Sequence, residues 1–207
     1  NESMSIRSIC LALLSGLFLA LPLQAGDIAD ALKSGDFWKK PLAETAGHVP
    51  YAPVDDNTIR IPKGPNVTIG SMTFGEILLV KNDEGVPTTA TVMVYNKGDD
   101  GNVDKADFDN LVKQATEALD AMVGTPGKTV KVSKKDAGLD VSAKQWVWEG
   151  GAARLEYACS GGGKAKKVPK TLSGKPRTNA PEPAAFQAEF VRLKLGADLE
   201  AIERGGA

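Results

Sequence analysis

Between Phe108 and Met122 the apolar positions recur at three- and four-residue steps. Phe108, Leu111, Val112, Ala115, Ala118, Leu119 and Met122 therefore share one face of a helix. Both ends are marked. Asp104 stands as N-cap with Asp107 three residues on, Val103 is placed to staple onto Phe108, and Gly124 and Pro126 close the run. Elsewhere the period is two. Residues 67–81 alternate and are rich in Ile, Leu, Val and Phe, and residues 88–95 form a second β-branched run. Asn82-Asp83-Glu84-Gly85 between them predicts a hairpin.

Further extended segments are predicted at 58–61, 128–132, 144–148 and 152–158, the last two joined as a hairpin through Glu149-Gly150-Gly151. A final strand over 186–195 places Phe186, Ala188, Phe190 and Leu193 among charged neighbours. One substantial helix for six or seven strands argues against alternating βαβ units. The predicted fold is α+β: a largely antiparallel sheet of six or seven strands with one long amphipathic helix packed on one face. The α+β domain covers 58–195. Before it, 26–57 holds a short helix over 27–37, ended by Pro41, and irregular chain; after it, 196–207 holds a short polar helix and a tail.

The first residues belong to a different class of segment. Arg7 is followed by an apolar run over 9–23, broken only by Ser15 and Gly16, then by Gln24-Ala25-Gly26. The run is shorter than the roughly 20 residues of a membrane helix, contains Pro22, and ends beside a small residue. Residues 1–25 are thus expected to be a secretory signal peptide cut before Gly26, with residues 1–3, ahead of Met4, set aside as non-native or upstream. The expected location is secreted or periplasmic, with no stable membrane span after cleavage. About 180 residues remain, which suits one domain. Cys10 leaves with the signal, so Cys159 has no internal disulfide partner and reads as a small hydrophobe at a strand end.

Charge removes further options. With 25 Lys and Arg against 26 Asp and Glu, the net charge of −1 argues against a dedicated nucleic-acid binder. One segment is locally basic. Lys164, Lys166, Lys167, Lys170, Lys175 and Arg177 lie in a Gly-, Lys-, Pro- and Ser-rich stretch over 160–183, expected to be a mobile loop. Without an aromatic residue for stacking it offers phosphates or anionic polymer a charge and nothing more.

Three constellations merit weighing as chemistry. Residues 96–108 resemble the second half of a calcium-binding loop, with Asn96, Asp100, Gly101, Asp104 and Asp107 in ligand or turn positions. Gly98 supplies no ligand, Asp107 is short for its role, and each acid from Asp104 onward also suits a helix N-terminus, so a capped turn is favoured over a metal in the Asp99 to Asp107 stretch. Trp146 and Trp148 share a strand face, with Leu155 and Tyr157 as a similar pair on the return strand. They form either an aromatic platform for sugar or peptide or, preferably, the buried face beneath the helix. Cys159 and His48, the one histidine, are the only thiol–imidazole combination left after signal removal. No phosphate-cradling glycine motif, serine elbow or His-rich cluster is present, so no catalytic, cofactor-binding or metal residue is assigned.

Phe37-Trp38-Lys39-Lys40-Pro41, the strand end over 92–99, the capped helix, Leu155-Glu156-Tyr157 and Glu189-Phe190-Val191-Arg192-Leu193 together resemble the non-catalytic N-terminal region of secreted bacterial proteins that continue into a C39-like, papain-type cysteine peptidase domain. That resemblance implies a catalytic Cys and His downstream of this chain and a regulatory role for it. The expected function is an exported, non-catalytic binding or accessory domain, with protein or peptide as partner ahead of envelope polymer and no cofactor. The alternatives are the regulatory part of a secreted cysteine peptidase and a secreted hydrolase using carboxylates.

Overall fold

The computed structural model describes residues 32–45, 51–62, 68–69, 72–73, 76–132, 138–161 and 184–205. The expected signal peptide, His48 and the basic run over 164–177 lie outside them. The main sheet has eight strands, all paired antiparallel: β1 (Ala52–Pro53), β2 (Thr58–Ile61), β5 (Ile77–Lys81), β6 (Pro87–Asn96), β10 (Gln187–Gly196), β9 (Gly151–Ser160), β8 (Ser142–Trp148) and β7 (Lys128–Lys131), in that spatial order. Two short strands, β3 (Thr68–Ile69) and β4 (Met72–Thr73), pair separately. Besides the helical pair Leu32 and Lys33, the helices are α1 (Leu42–Thr45), α2 (Lys97–Asp100), α3 (Lys105–Val123) and α4 (Leu199–Arg204).

The connectivity explains the single long helix. β6 ends in the middle of the sheet, α3 carries the chain across to the far edge, and the meander β7-β8-β9-β10 returns strand by strand until β10 pairs with β6. The helix keeps its predicted caps. The Asp104 carboxylate accepts from the Asp107 amide at 2.8 Å, and Gly124, at φ 81°, closes the other end by donating to the Asp120 carbonyl. Phe108, Ala115, Ala118 and Leu119 are buried as the pattern requires, and Leu111, Val112 and Met122 pack at the edge of the same core.

Beneath the helix the register lines up two apolar rows. Ile59, Leu79, Ala90, Leu195, Ala153 and Trp146 are successive cross-strand partners, as are Ile61, Ile77, Val92, Leu193 and Leu155. Facing partners on one side of a pleated sheet fill it with branched side chains. Leu32, Phe37, Trp38 and Leu42 join this core from the N-terminal side, anchored by the Leu42 amide on the Gly85 carbonyl and the Trp148 indole on the Lys33 carbonyl.

The strand pattern departs from expectation at four places. The alternating run over 67–81 is three strands, because Ile69 pairs with Met72 and only Gly70-Ser71 lies between, a two-residue connection of turn-forming composition. β1 adds a strand that Pro53 and its neighbours disguised, giving eight where six or seven were predicted. Of the helix expected over 27–37, Leu32 and Lys33 are helical, Phe37 sits in a turn and residues 27–31 lie outside the described residues; Pro41 precedes α1, with its carbonyl accepting from the Glu44 amide. In β10 the register shifts between Ala188 and Phe190, so Phe190 leaves the core side and Val191, Leu193 and Leu195 carry the buried alternation.

Candidate functional site

The second face of the sheet is built differently. Successive partners across it are Arg60, Leu78, Thr91, Lys194, Arg154, Gln145 and Lys128, a row at right angles to the strands containing four cations and no carboxylate. The adjoining row runs Met93, Arg192, Glu156, Ala143, Val130. Among the described residues α4 covers part of this face, where Ile202 and Ala201 lie over Gly196; a Cβ there would sit 3.1 Å from Ile202 Cγ1, so the helix approaches closely because residue 196 has none. Asp198 holds the helix start by accepting from the Ala201 amide at 2.7 Å.

At the junction of the two rows sits Glu156. Its Oε2 accepts from Arg192 Nε at 2.8 Å, and the same oxygen lies 2.8 Å from Arg192 Nη2 and 3.3 Å from Lys194 Nζ. Arg154 Nη1 is 3.9 Å from Oε1 and sends Nη2 to Glu203 of α4 at 2.7 Å. With its amide oriented oxygen-inward, Gln145 accepts from Arg154 Nε at 2.8 Å. The Glu156 side chain is 4% exposed, Arg154 11%, Lys194 17% and Arg192 22%, whereas Glu203 is 63% exposed. Arg192 also stacks its guanidinium 4.5 Å from the Phe190 ring centroid. Three cations thus share one buried carboxylate and a second, surface carboxylate from α4.

The features singled out by sequence are placed elsewhere. Trp146 is buried, its indole N–H donating to Asp120 Oδ1 at 2.8 Å, and that carboxylate oxygen also accepts from the Gly127 amide at 2.9 Å. A Cβ on Gly127 would fall within 2.3 Å of the indole ring, so glycine is the residue that lets this turn close over it. Trp148 is half-buried against Gly151. The two tryptophans face Ala153 and Gly151, not Leu155 and Tyr157, because the hairpin register sets Lys144 and Ser142 opposite the latter pair. The preferred buried-face arrangement holds for Trp146, and the side-by-side platform does not form.

Residues 96–107 make a sequence of local caps. Asn96 Oδ1 accepts from the Gly98 amide, its Nδ2 donates to Asp99 Oδ2, and its backbone N–H donates to Asp100 Oδ2. Among the described residues no group of three His, Cys, Asp or Glu side chains converges as a metal site. Beside this turn, the Tyr95 hydroxyl donates to the Gly101 carbonyl at 2.7 Å. Burial pushes its phenol above the usual 10.0, and the charges of Asp100 and Glu189 act in the same direction. Cys159 lies near the end of β9 as expected but is exposed, not packed.

The charged cluster was present in the sequence as Arg154-Leu155-Glu156 and Arg192-Leu193-Lys194, two strands whose charged residues alternate with buried leucines. Period two alone puts each pair on one face; the β9–β10 register was needed to bring the pairs together. Comparison with family models, curated proteins and solved structures found no match.

Proposed function

We propose that the chain is an exported, non-catalytic binding or accessory domain whose partner is a protein or peptide. One observation carries this: one face of the sheet is filled by the core, while the other carries ordered cations and small residues that, among the described residues, α4 covers in part. A charged, largely preformed surface on a rigid sheet suits recognition, since its side chains are already held by their neighbours. The apolar run over 9–23 behind Arg7, ending beside the small residue Ala25, supports export. No helix among the described residues is long and apolar enough to cross a membrane.

Fractionation of bacteria expressing the chain tests export: the protein should accumulate outside the cytoplasm with Gly26 as its first residue, and uncleaved cytoplasmic protein would contradict it. A photo-crosslinking residue at Thr91, on the second face, should yield a discrete adduct in those cells, whereas one at Gln114, exposed on α3, should not. Equal adducts from both, or none, would count against binding through this face. The resemblance to the region preceding a secreted cysteine peptidase domain supports a second reading, in which the partner is that peptidase. Sequencing the locus beyond Ala207 decides it, because a continuing frame with a catalytic Cys and His is then required.

A further inference from the structure

Lys128, Arg154, Lys194 and Arg60 occupy one cross-strand row without an intervening acid, and six strand spacings of about 4.8 Å separate the outer two by about 29 Å. We propose that this row is a docking track for an acidic, extended peptide segment whose carboxylates pair with those four cations. The inference rests on the binding-domain reading and specifies its ligand.

Charge complementarity carries the argument. Lys128, on the exposed edge strand β7, has no ion pair among the described residues, and Arg60 holds Glu76 only loosely, at 3.7 Å. At the centre of the row the chain already displays the kind of ligand the track takes. Glu203, a surface side chain on α4, lays its carboxylate on Arg154 Nη2 at 2.7 Å. It is an internal carboxylate on the track that an incoming one would displace. A guanidinium held by Gln145 and Glu156 retains its orientation when Glu203 leaves, so the position is prepared for a second carboxylate.

The span also fits. An extended chain rises about 3.3–3.6 Å per residue, so eight or so residues cover the row, and alternate side chains of that segment face the sheet. The row holds no aromatic side chain on which bases stack, and Phe190 in the neighbourhood is covered by Arg192. Within its own chain this face already sets carboxylates on Arg154 and Arg192, which favours an acidic peptide over a phosphate-bearing polymer.

The test is the anisotropy of fluorescein-labelled octaglutamate titrated with the full chain at low ionic strength. Saturable binding is expected, weakened at least about tenfold by Lys194→Glu and severalfold by Lys128→Glu, since charge reversal replaces attraction by repulsion. Lys128 lies on an exposed edge away from the Glu156 cluster, so its variant reads the track without disturbing the fold. Glu203→Gln should tighten binding about threefold by removing the internal competitor. A purely structural salt-bridge network predicts no such gain. Replacing Lys164, Lys166, Lys167, Lys170, Lys175 and Arg177 by Gln should leave the sensitivity to Lys194→Glu intact. The proposal is overturned if octaglutamate fails to bind, if both lysine reversals are neutral, if binding disappears with the basic-run variant, or if polyphosphate of equal charge binds through Lys194 and octaglutamate does not. Adducts from Thr91 in cells alongside no octaglutamate binding would reject the acidic ligand while leaving the binding-domain reading standing.

Discussion

Replacing Glu156 by Gln keeps the shape of the side chain and removes its charge. In the native cluster that charge faces Arg192 through two nitrogens at 2.8 Å, Lys194 at 3.3 Å and Arg154 at 3.9 Å, all on side chains that are at most 22% exposed. Deleting one member of a buried ion pair costs about 3–5 kcal/mol, because the remaining charge stays desolvated without compensation. The three cations here keep some access to water, and glutamine still accepts one hydrogen bond from Arg192, so the cost drops below that range: a loss of about 2–3 kcal/mol is expected. With a urea m-value of about 2 kcal/mol/M, the midpoint should fall by about 1–1.5 M. Arg192→Met in the same background should recover part of the loss, since it removes one stranded cation, and the double-mutant cycle should show coupling of at least about 1 kcal/mol. An unfolding free energy for Glu156→Gln within about 0.5 kcal/mol of the native protein's, with additive double-mutant energies, would refute the view that this carboxylate organises the second face.

Gly127→Ala should destabilise the protein by about 1–3 kcal/mol in denaturant titration, because the added carbon meets the ring of a tryptophan already fixed by Asp120. Asp104→Ala removes the carboxylate that accepts from the Asp107 amide and should cost about 1 kcal/mol, with Asp104→Asn recovering most of it. Tyr95 should ionise above 10.0 in an ultraviolet titration. Its raised value means that the unfolded chain loses the phenolic proton first, so this group's contribution to stability is present below pH 10.0 and is lost as the pH rises through the folded value. A Tyr95 midpoint at or below 10.0 would show that its burial is not maintained in solution.

The parts of the fold that were legible in the sequence are those where local chemistry and tertiary packing agree. Asp104, Gly124 and the apolar stripe between them specify α3 by capping and period, and Asn82 to Gly85 specify the β5–β6 turn, where Asn82 Oδ1 accepts from the Glu84 and Val86 amides and Gly85 adopts φ 78°. The failures share a cause. Residues 67–81 look like one strand because hydrophobic alternation continues through short connections, and only the Ile69–Met72 pairing shows where the chain doubles back. Phe190 looks like a core residue because alternation cannot register a bulge. The candidate site was half legible for the same reason: period two puts Arg154 beside Glu156 and Arg192 beside Lys194, while their convergence, and the arrival of Glu203 from α4, are properties of long-range register. The two-residue spacing of Trp146 and Trp148 left a platform open beside the preferred buried face, and Asp120, in the last turn of α3, is the partner that fixes Trp146 in the core.

Under the proposed function, ligands reach this protein through the cationic row on the second face. Backbone-amide shift mapping of the full chain during titration with octaglutamate tests it most directly. Shifts concentrated at Lys128, Gln145, Arg154, Thr91 and Lys194, with α3 unmoved and Glu203 responding as its carboxylate is displaced, are the expected result. Shifts confined to residues 162–183, or to α3, with the row silent at saturation, would contradict the account.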